Sequence, residues 1–332
     1  MKVINATSKE MEKTARIVGN ATGGFAFKGG YDNVNWKLVR FMCNIGYSFM
    51  KKEKGVRVVQ LDLDGIHGEL TRPQNRINDN IIMYIHGGGL VSGSARATRG
   101  YCSVLARFSG YDVVSIDYRL SPENTYPAAI DDCEKAFLAL HKQFPDARIC
   151  FTGESAGGYL SLATTVRLIS KNEYLPACLL PQSPLCDLTG ELDRSYYEIR
   201  DNTVSPEGLA PLMDMYAPGM DRRNPEISCA YFDQLEKIPP VLMSFDENET
   251  LRADAELMNR LLKEKGVDSD CIMMRNTFHA CSTSGVGTPE TFELLLDDIE
   301  FIRKHFGDSL YRWSCSLNRN LSELLSSLKT RR

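Results

Sequence analysis

The sequence predicts an α/β protein with a mostly parallel eight-stranded sheet and helices on both faces. From about residue 56 onward, short β-branched runs alternate with longer segments whose apolar residues recur at three- and four-residue spacing. Asp64 and Gly65 separate the first two runs, which predicts an antiparallel hairpin at the start of the sheet. A chain of 332 residues can bury a stable core without disulfides.

The predicted strands are short and apolar, and helical segments separate most of them. They cover residues 56–63, 66–71, 81–85, 112–116, 149–152, 177–180, 241–245 and 271–274. The predicted helices cover residues 98–108, 127–144, 156–170, 253–265 and 289–305. Helices that alternate with strands in this way favour one α/β domain.

Two segments do not follow the alternation. Residues 1–50 are helix-like but rich in glycine and aromatic residues, and residues 187–238 combine tyrosines, methionines and prolines. We expect both to cover the carboxyl edge of the sheet, where ligands bind in α/β folds, and to form an apolar, adaptable pocket. The predicted organisation is N-terminal cap helices at 1–50, a core at 51–186 and 239–307, a cap insertion at 187–238 and a C-terminal helical tail at 308–332.

Composition excludes several classes of protein. The net charge of −4, with 25% charged residues and no basic block, predicts no binding to nucleic acid or to an anionic membrane. The longest uncharged run, residues 81–95, is too short to span a bilayer. The N-terminus lacks signal-peptide features and the ten cysteines lack metal-site spacing, so we expect a cytoplasmic protein with buried thiols.

The sequence G-E-S-A-G at residues 153–157 matches the pattern G-x-S-x-G. The pattern alone is weak evidence, but here it lies directly between a predicted strand and a predicted helix, as the motif requires. A turn this tight leaves no room for a side chain at Gly153 or Gly157. Ser155 is therefore a candidate nucleophile, and the alternative is a glycine-rich turn with an incidental serine.

The sequence H-G-G-G at residues 86–89 also follows a predicted strand. Consecutive glycines let backbone N–H groups turn into a cleft and meet a developing negative charge, as in an oxyanion hole. We expect the donors to be the N–H groups of Gly87, Gly88 and Ala156. A phosphate-binding loop is disfavoured because no Lys-Ser or Lys-Thr pair follows.

An activated serine needs a base, and in this class of fold the histidine follows the serine in the chain. Only His279 and His305 follow Ser155. His305 lies at the predicted C-terminus of a helix, where a histidine interacts favourably with the helix dipole, so a structural role is expected. His279 follows the last predicted strand and is the predicted base.

Three motifs together resemble the hormone-sensitive lipase family of α/β-hydrolases. They are H-G-G-G at 86–89, D-Y-R-L-S-P-E at 117–123 with Y-P-A-A at 126–129, and G-E-S-A-G-G at 153–158. The resemblance covers roughly residues 50–306 and implies the α/β-hydrolase fold, a helical cap and a serine carboxylesterase that forms an acyl-enzyme. It implies a small-molecule ester substrate and no metal or organic cofactor. Glu123 and the D-Y-R segment are expected to stabilise the loops beside the glycines.

The resemblance also implies the position of the triad acid. The family places an aspartate two residues before Leu-Arg, shortly after a Pro-Pro pair. In this sequence the position is Glu249, and some relatives carry glutamate there. Asp246, at the end of the preceding strand, is the alternative. The residues after His279 lack the glycine and phenylalanine common in relatives, which leaves the path of that loop open.

Alternative functions use the same motifs. Amidases and thioesterases share the triad, and one relative is a plant hormone receptor that has lost the catalytic histidine. Ser155, His279 and an acid favour an enzyme over a receptor, and we expect activity to peak at short to medium acyl chains. A homodimer is a further expectation. Cys281 is the cysteine nearest to His279 in the chain, so we expect its modification to report on the site.

Overall fold

The computed structural model describes residues 1–22, 34–48 and 50–308, and the predicted tail beyond residue 308 lies outside the described residues. The strands are β1 (Lys2–Asn5), β2 (Val56–Leu63), β3 (Ile66–Pro73), β4 (Ile81–Ile85), β5 (Asp112–Ile116), β6 (Ile149–Glu154), β7 (Leu179–Gln182), β8 (Val241–Asp246) and β9 (Ser269–Arg275). The helices are α1 (Lys9–Thr22), α2 (Trp36–Ser48), α3 (Arg99–Ser109), α4 (Ala128–Gln143), α5 (Ala156–Lys171), α6 (Pro206–Tyr216), α7 (Arg252–Glu264) and α8 (Pro289–Phe306).

All of the described strands belong to one sheet, in the order β1-β9-β8-β7-β6-β4-β5-β3-β2. The β2–β3 and β3–β5 pairs are antiparallel and the other pairs are parallel. The prediction of a mostly parallel α/β fold that begins with a hairpin is therefore confirmed. Because β4, β6, β7, β8 and β9 are parallel, the loops that follow them meet at one edge of the sheet.

The predicted number of eight strands is wrong, because the described residues contain nine. The additional strand is β1, which pairs in parallel with β9 and lies within residues 1–50, where only cap helices are predicted. It has four residues, and only Ile4 is buried. Backbone pairing with the open edge of β9 stabilises it, and so short a run carries too little hydrophobic pattern to be recognised.

The predicted boundaries of the other strands and of the five predicted helices differ from the structure by at most two residues. The shift in β7 has a local cause. The prediction ended this strand at Leu180, but the strand continues through Pro181, which has no backbone N–H for the ladder. The β7–β8 register lies on either side of it, at Leu179 with Val241 and at Gln182 with Ser244.

The sheet separates two hydrophobic layers. Alternate side chains of β4 enter opposite layers, with Met83 in one and Tyr84 in the other. The helices α4, α5 and α7 pack on the first face, and α3 and α8 pack on the second. Within the described ranges, no helix is long and apolar enough to cross a bilayer.

Candidate active site

Ser155 lies in a sharp turn between β6 and α5. Its backbone has φ 55° and ψ −119°, a region that residues other than glycine rarely adopt. The Ser155 N–H donates to the carbonyl of Gln182 at 2.7 Å, and its carbonyl accepts the N–H of Tyr159 at 3.0 Å. These bonds hold the strained turn at the carboxyl edge of the sheet, where the serine side chain is partly exposed.

The glycines on either side of this turn are required by its packing against β4. A Cβ atom built on Gly153 would lie 2.2 Å from the carbonyl oxygen of Ile85, and one built on Gly157 would lie 1.9 Å from the same oxygen. Because Ile85 contributes backbone atoms here, no change of rotamer could relieve the collision. The two glycines therefore permit the close approach of the turn to β4.

His279 and Glu249 lie in the loops that follow β9 and β8. His279 Nδ1 is 3.0 Å from Glu249 Oε2, and both side chains are buried. This contact assigns the proton of the neutral imidazole to Nδ1 and leaves Nε2 as the basic nitrogen. His279 Nε2 has no hydrogen-bond partner among the described residues, and His279 and Ser155 line the same cavity.

The charges of this pair act on each other. Burial lowers the pKa of His279, but the charge and hydrogen bond of Glu249 outweigh it, so that the pKa of the histidine is raised. Burial raises the pKa of Glu249, and the contact with His279 opposes that shift. The carboxylate is thus matched to the imidazolium that forms when His279 takes a proton.

The structure does not bring the alternative acid, Asp246, into contact with His279. Asp246 Oδ1 accepts the N–H of Asn248 at 2.9 Å, and Oδ2 accepts the N–H and the hydroxyl of Thr277 at 3.0 and 2.5 Å. Asp246 therefore connects the loops after β8 and β9, and Glu249 occupies the position beside the histidine.

The glycine loop requires a correction to the predicted oxyanion donors. The N–H of Gly87 donates to Glu154 Oε1 at 2.8 Å, and Gly87 is buried, so its N–H does not face the cavity. Gly88 and Gly89 have φ values of 108° and 62°, are partly exposed and line the cavity. The prediction of Gly87 is wrong because the sequence does not reveal which of three consecutive N–H groups points outward.

Comparison with known proteins identifies the family. A protein-family sequence model, described as the α/β-hydrolase fold, matches residues 82–283 of this chain. The solved structure of an esterase from the bacterial hormone-sensitive lipase family is 28% identical, with a TM-score of 0.80, and the match covers 91% of this chain and 99% of that chain. The chain belongs to the hormone-sensitive lipase family of α/β-hydrolases.

Two similar proteins are named as esterases. The versiconal hemiacetal acetate esterase of Emericella nidulans is 28% identical over 247 residues, which is 71% of this chain and 86% of that protein. An esterase of Acinetobacter venetianus is 29% identical over 253 residues, which is 74% of this chain and 82% of that protein. This member of the hormone-sensitive lipase family is accordingly a carboxylic ester hydrolase.

A cavity of about 840 Å³ lies above Ser155. Its walls are mostly apolar and come from α1, α2 and α6 together with the loop that carries Leu90 and Val91. Ser155, His279, Gly88 and Ala156 also line this cavity. In this hydrolase an ester carbonyl at Ser155 would therefore have an apolar chamber beside it for its substituents.

Sequence reasoning missed two polar residues that support this esterase site. Glu154, the last residue of β6, is buried and accepts the Gly87 N–H and the hydroxyl of Tyr84. Burial raises the pKa of Glu154 to about 7, although these hydrogen bonds oppose the shift. Ser183 Oγ donates to Glu249 Oε2 at 2.9 Å and accepts the N–H of Ala280 at 3.1 Å. The position of Glu154 inside G-x-S-x-G was the available signal for the first residue, and we find none for Ser183.

Other polar residues of the H-G-G-G and D-Y-R-L-S-P-E motifs connect loops. The His86 ring stacks on Tyr118 at 4.2 Å, and the Tyr118 hydroxyl donates to the His86 carbonyl at 2.7 Å. Asp117 Oδ1 accepts the N–H of Ala95 at 2.7 Å. Glu123 pairs with Arg40 of α2, so this acid connects the loop to an N-terminal helix.

The expected reporter role of Cys281 does not fit the structure. Cys281 is buried, and burial raises the pKa of its thiol, so the reactive thiolate is scarce. Cys43 of α2 is partly exposed and lines the cavity. Proximity to His279 in the chain was thus a poor guide to accessibility.

Proposed function

We propose that this enzyme hydrolyses carboxylic esters through a triad of Ser155, His279 and Glu249. The observation that carries the proposal is the bond from His279 Nδ1 to Glu249 Oε2, with Nε2 unpartnered among the described residues and in the same cavity as Ser155. Ser155 Oγ attacks the ester carbonyl carbon, and its proton passes to His279 Nε2. Glu249 stabilises the imidazolium and keeps the ring oriented.

The negative charge of the tetrahedral intermediate develops on the former carbonyl oxygen. We propose that the backbone N–H groups of Gly88, Gly89 and Ala156 bind it. His279 then gives its proton to the departing alcohol, which leaves an acyl group on Ser155. Water attacks the acyl-enzyme and loses its proton to His279, and collapse of the second intermediate releases the acid and restores Ser155.

The proposed substrates are esters of short to medium acyl chains. The apolar cavity supports this proposal, since a chamber of about 840 Å³ accommodates aliphatic substituents but is bounded on several sides by helices. The name of the Emericella nidulans relative, an acetate esterase, points to the same end of the size range. We propose that α1, α2 and α6, from residues 1–50 and 187–238, act as the cap over the site.

Two further expectations remain predictions from the sequence. They are a cytoplasmic location and a homodimer. Sedimentation velocity on the full chain would test for the homodimer, because the mass derived for a dimer would be about twice the mass calculated from the sequence.

The decisive experiment compares Ser155→Ala with Ser195→Ala, a change of an exposed serine. Ser155→Ala should lose hydrolysis of p-nitrophenyl butyrate by about 10³-fold or more and should no longer react with a fluorophosphonate probe, whereas Ser195→Ala should behave as the wild type. Full activity of Ser155→Ala would reject the triad. Faster turnover of a matched anilide or thioester than of the ester would indicate an amidase or a thioesterase instead.

A further inference from the structure

The outward face of α2 carries an apolar stripe. Its members are spaced by three or four residues and therefore share one side of the helix. They remain largely exposed in the folded chain: Leu38 is 56% exposed, Phe41 61%, Met42 46% and Ile45 41%. Four large apolar side chains on one side of a 13-residue helix form a contiguous patch, unlike single exposed residues elsewhere.

The opposite face of α2 is fastened to the protein body. Arg40 Nε donates to the carbonyl of Val91 at 2.7 Å, and its terminal nitrogens reach the carbonyl of Ser121 at 2.8 Å and the carboxylate of Glu123. Val39 and Cys43 face the cavity. The helix is thus anchored by its inner side, and the exposure of the stripe is a property of the docked helix.

The stripe is continuous with the substrate cavity. Met42 and Ile45 belong to the stripe and also line the cavity, as does Ile17 of α1, which is 56% exposed. The patch therefore surrounds part of the cavity entrance. A protein bound permanently to the patch would obstruct the route to Ser155. A lipid surface that contains the substrate would instead place the substrate at the cavity entrance.

The charge of this region is opposite to that of the whole chain. Residues 34–54 contain five basic residues and one acidic residue, although the complete sequence has a net charge of −4. Glu53 is paired with Arg107, and Lys37, Lys51, Lys52 and Lys54 are exposed. A helix with an exposed apolar face and neighbouring lysines has the character of helices that lie on anionic lipid surfaces.

We propose that the apolar stripe of α2 docks this enzyme on an anionic lipid surface, which revises the expectation from overall composition that the chain binds no anionic membrane. The stripe would enter the boundary between headgroups and acyl chains, and the lysines would contact the headgroups. A contact between two copies would also bury the stripe, but it would lie at the cavity entrance and obstruct the route to Ser155, so it is the competing outcome of the test. Delivery of a lipid ester to Ser155 rests on the proposed function, whereas docking itself does not.

The test uses the full chain with Ser155→Ala, so that vesicles are not hydrolysed. Co-sedimentation is measured with phosphatidylcholine vesicles and with vesicles that also contain phosphatidylglycerol. Leu38→Ser/Phe41→Ser removes two members of the stripe that do not line the cavity. Val59→Ser/Ile77→Ser is the matched control, since both residues are exposed and apolar but lie outside the stripe and the cavity lining.

We expect binding to phosphatidylglycerol vesicles that weakens at least about tenfold in Leu38→Ser/Phe41→Ser but not in the control, and that declines with added salt. With Ser155 restored, both double variants should hydrolyse a soluble p-nitrophenyl ester at the wild-type rate, which shows that they are folded. Absence of vesicle binding, or equal binding by the two double variants, would overturn the proposal. A dimer that dissociates only in Leu38→Ser/Phe41→Ser would identify the stripe as a contact between copies and would also overturn it.

These outcomes are separable from failure of the proposed function. If the chain with Ser155 lacked esterase activity but bound vesicles through the stripe, docking would stand and the triad would fail. If the chain with Ser155 hydrolysed soluble esters but did not bind vesicles, the esterase function would stand and the docking proposal would fail.

Discussion

The carboxyl group of Glu154 accepts the backbone N–H of Gly87 in a hydrogen bond of 2.8 Å. This bond joins the turn that carries Ser155 to the glycine loop that follows β4. The N–H of Gly87 is thereby occupied, whereas Gly88 and Gly89 line the cavity. Glu154 is therefore a positioning residue for the proposed oxyanion hole, and it acts through the loop rather than on the substrate.

Glu154→Ala should lower kcat with little change in KM. The proposed oxyanion donors act mainly in the transition state, where loss of one donor costs about 10²–10³-fold in kcat, so displacement of the loop should cost about tenfold or more. The unpaired buried N–H of Gly87 should also lower the free energy of unfolding by about 1–3 kcal/mol. Steady-state kinetics and urea unfolding measure both effects.

Glu154→Gln is the control for this prediction, because the amide oxygen can still accept the Gly87 N–H. We expect it to retain most of the wild-type kcat. A rise in KM at constant kcat in Glu154→Ala would indicate that Glu154 contributes to substrate binding instead, and would contradict the positioning role.

Substitution of the two candidate triad acids, Glu249 and Asp246, should have very different effects on kcat. Glu249→Gln should reduce kcat by about 10³–10⁴-fold, since the amide cannot stabilise the imidazolium and does not favour the correct tautomer of His279. Asp246→Asn should change kcat by only a few-fold and should lower the free energy of unfolding by about 1–3 kcal/mol, because its oxygens bind Asn248 and Thr277. The opposite pattern would assign the acid role to Asp246.

The pH dependence of kcat/KM should follow His279. Burial lowers the pKa of His279, but Glu249, helped by Asp201 and Glu154, raises it above the ordinary value of 6.5. Only the neutral ring can accept the serine proton, so kcat/KM should fall on acidification, with a midpoint above 6.5. In Glu249→Gln the carboxylate that raises the pKa of His279 is absent, whereas burial still lowers that pKa. The midpoint of the residual activity should therefore move to lower pH. An unchanged midpoint would show that a group other than His279 controls the loss of activity on acidification.

Cys43 should report on the cavity in place of Cys281. A bulky maleimide should react with partly exposed Cys43 and reduce hydrolysis of a medium-chain ester at least about tenfold by filling the cavity, whereas Cys281 is buried. Cys43→Ser should be resistant to inactivation, and Cys281→Ser should remain as sensitive as the wild type. Mass spectrometry of tryptic peptides would locate the label, and inactivation of Cys43→Ser at the wild-type rate would contradict the assignment.

Sequence periodicity was sufficient for most of the fold. The buried strand β4 is a continuous apolar run, and helices such as α4 and α7 bury one side, so each of these elements carries its own signal. The strand β1 carried no such signal. Its four residues become a strand only because β9 has an unpaired edge beside them.

The residues of the site divide in the same way. Ser155 was recognisable because the glycines that its tight turn requires stand beside it in the sequence. The structure shows that these glycines admit the carbonyl of Ile85, which is distant in the chain. His279 was recognisable by elimination, since few histidines follow the serine. The proposed oxyanion donors were only partly predictable, because the sequence does not show that Glu154 binds the N–H of Gly87.

The sequence by itself determined eight of the nine described strands and the helices that cover them, because their hydrophobic patterns are local. The motif around Ser155 and the chain order of serine and histidine indicated the candidate nucleophile and base. The tertiary structure alone decided that Glu249 contacts His279 while Asp246 binds Thr277, and that Gly87 turns inward to Glu154. It also exposed the stripe on α2 beside the cavity entrance. These outcomes depend on where separate loops meet in space, and hydrogen-bond lengths between them are set by the packing of the whole sheet.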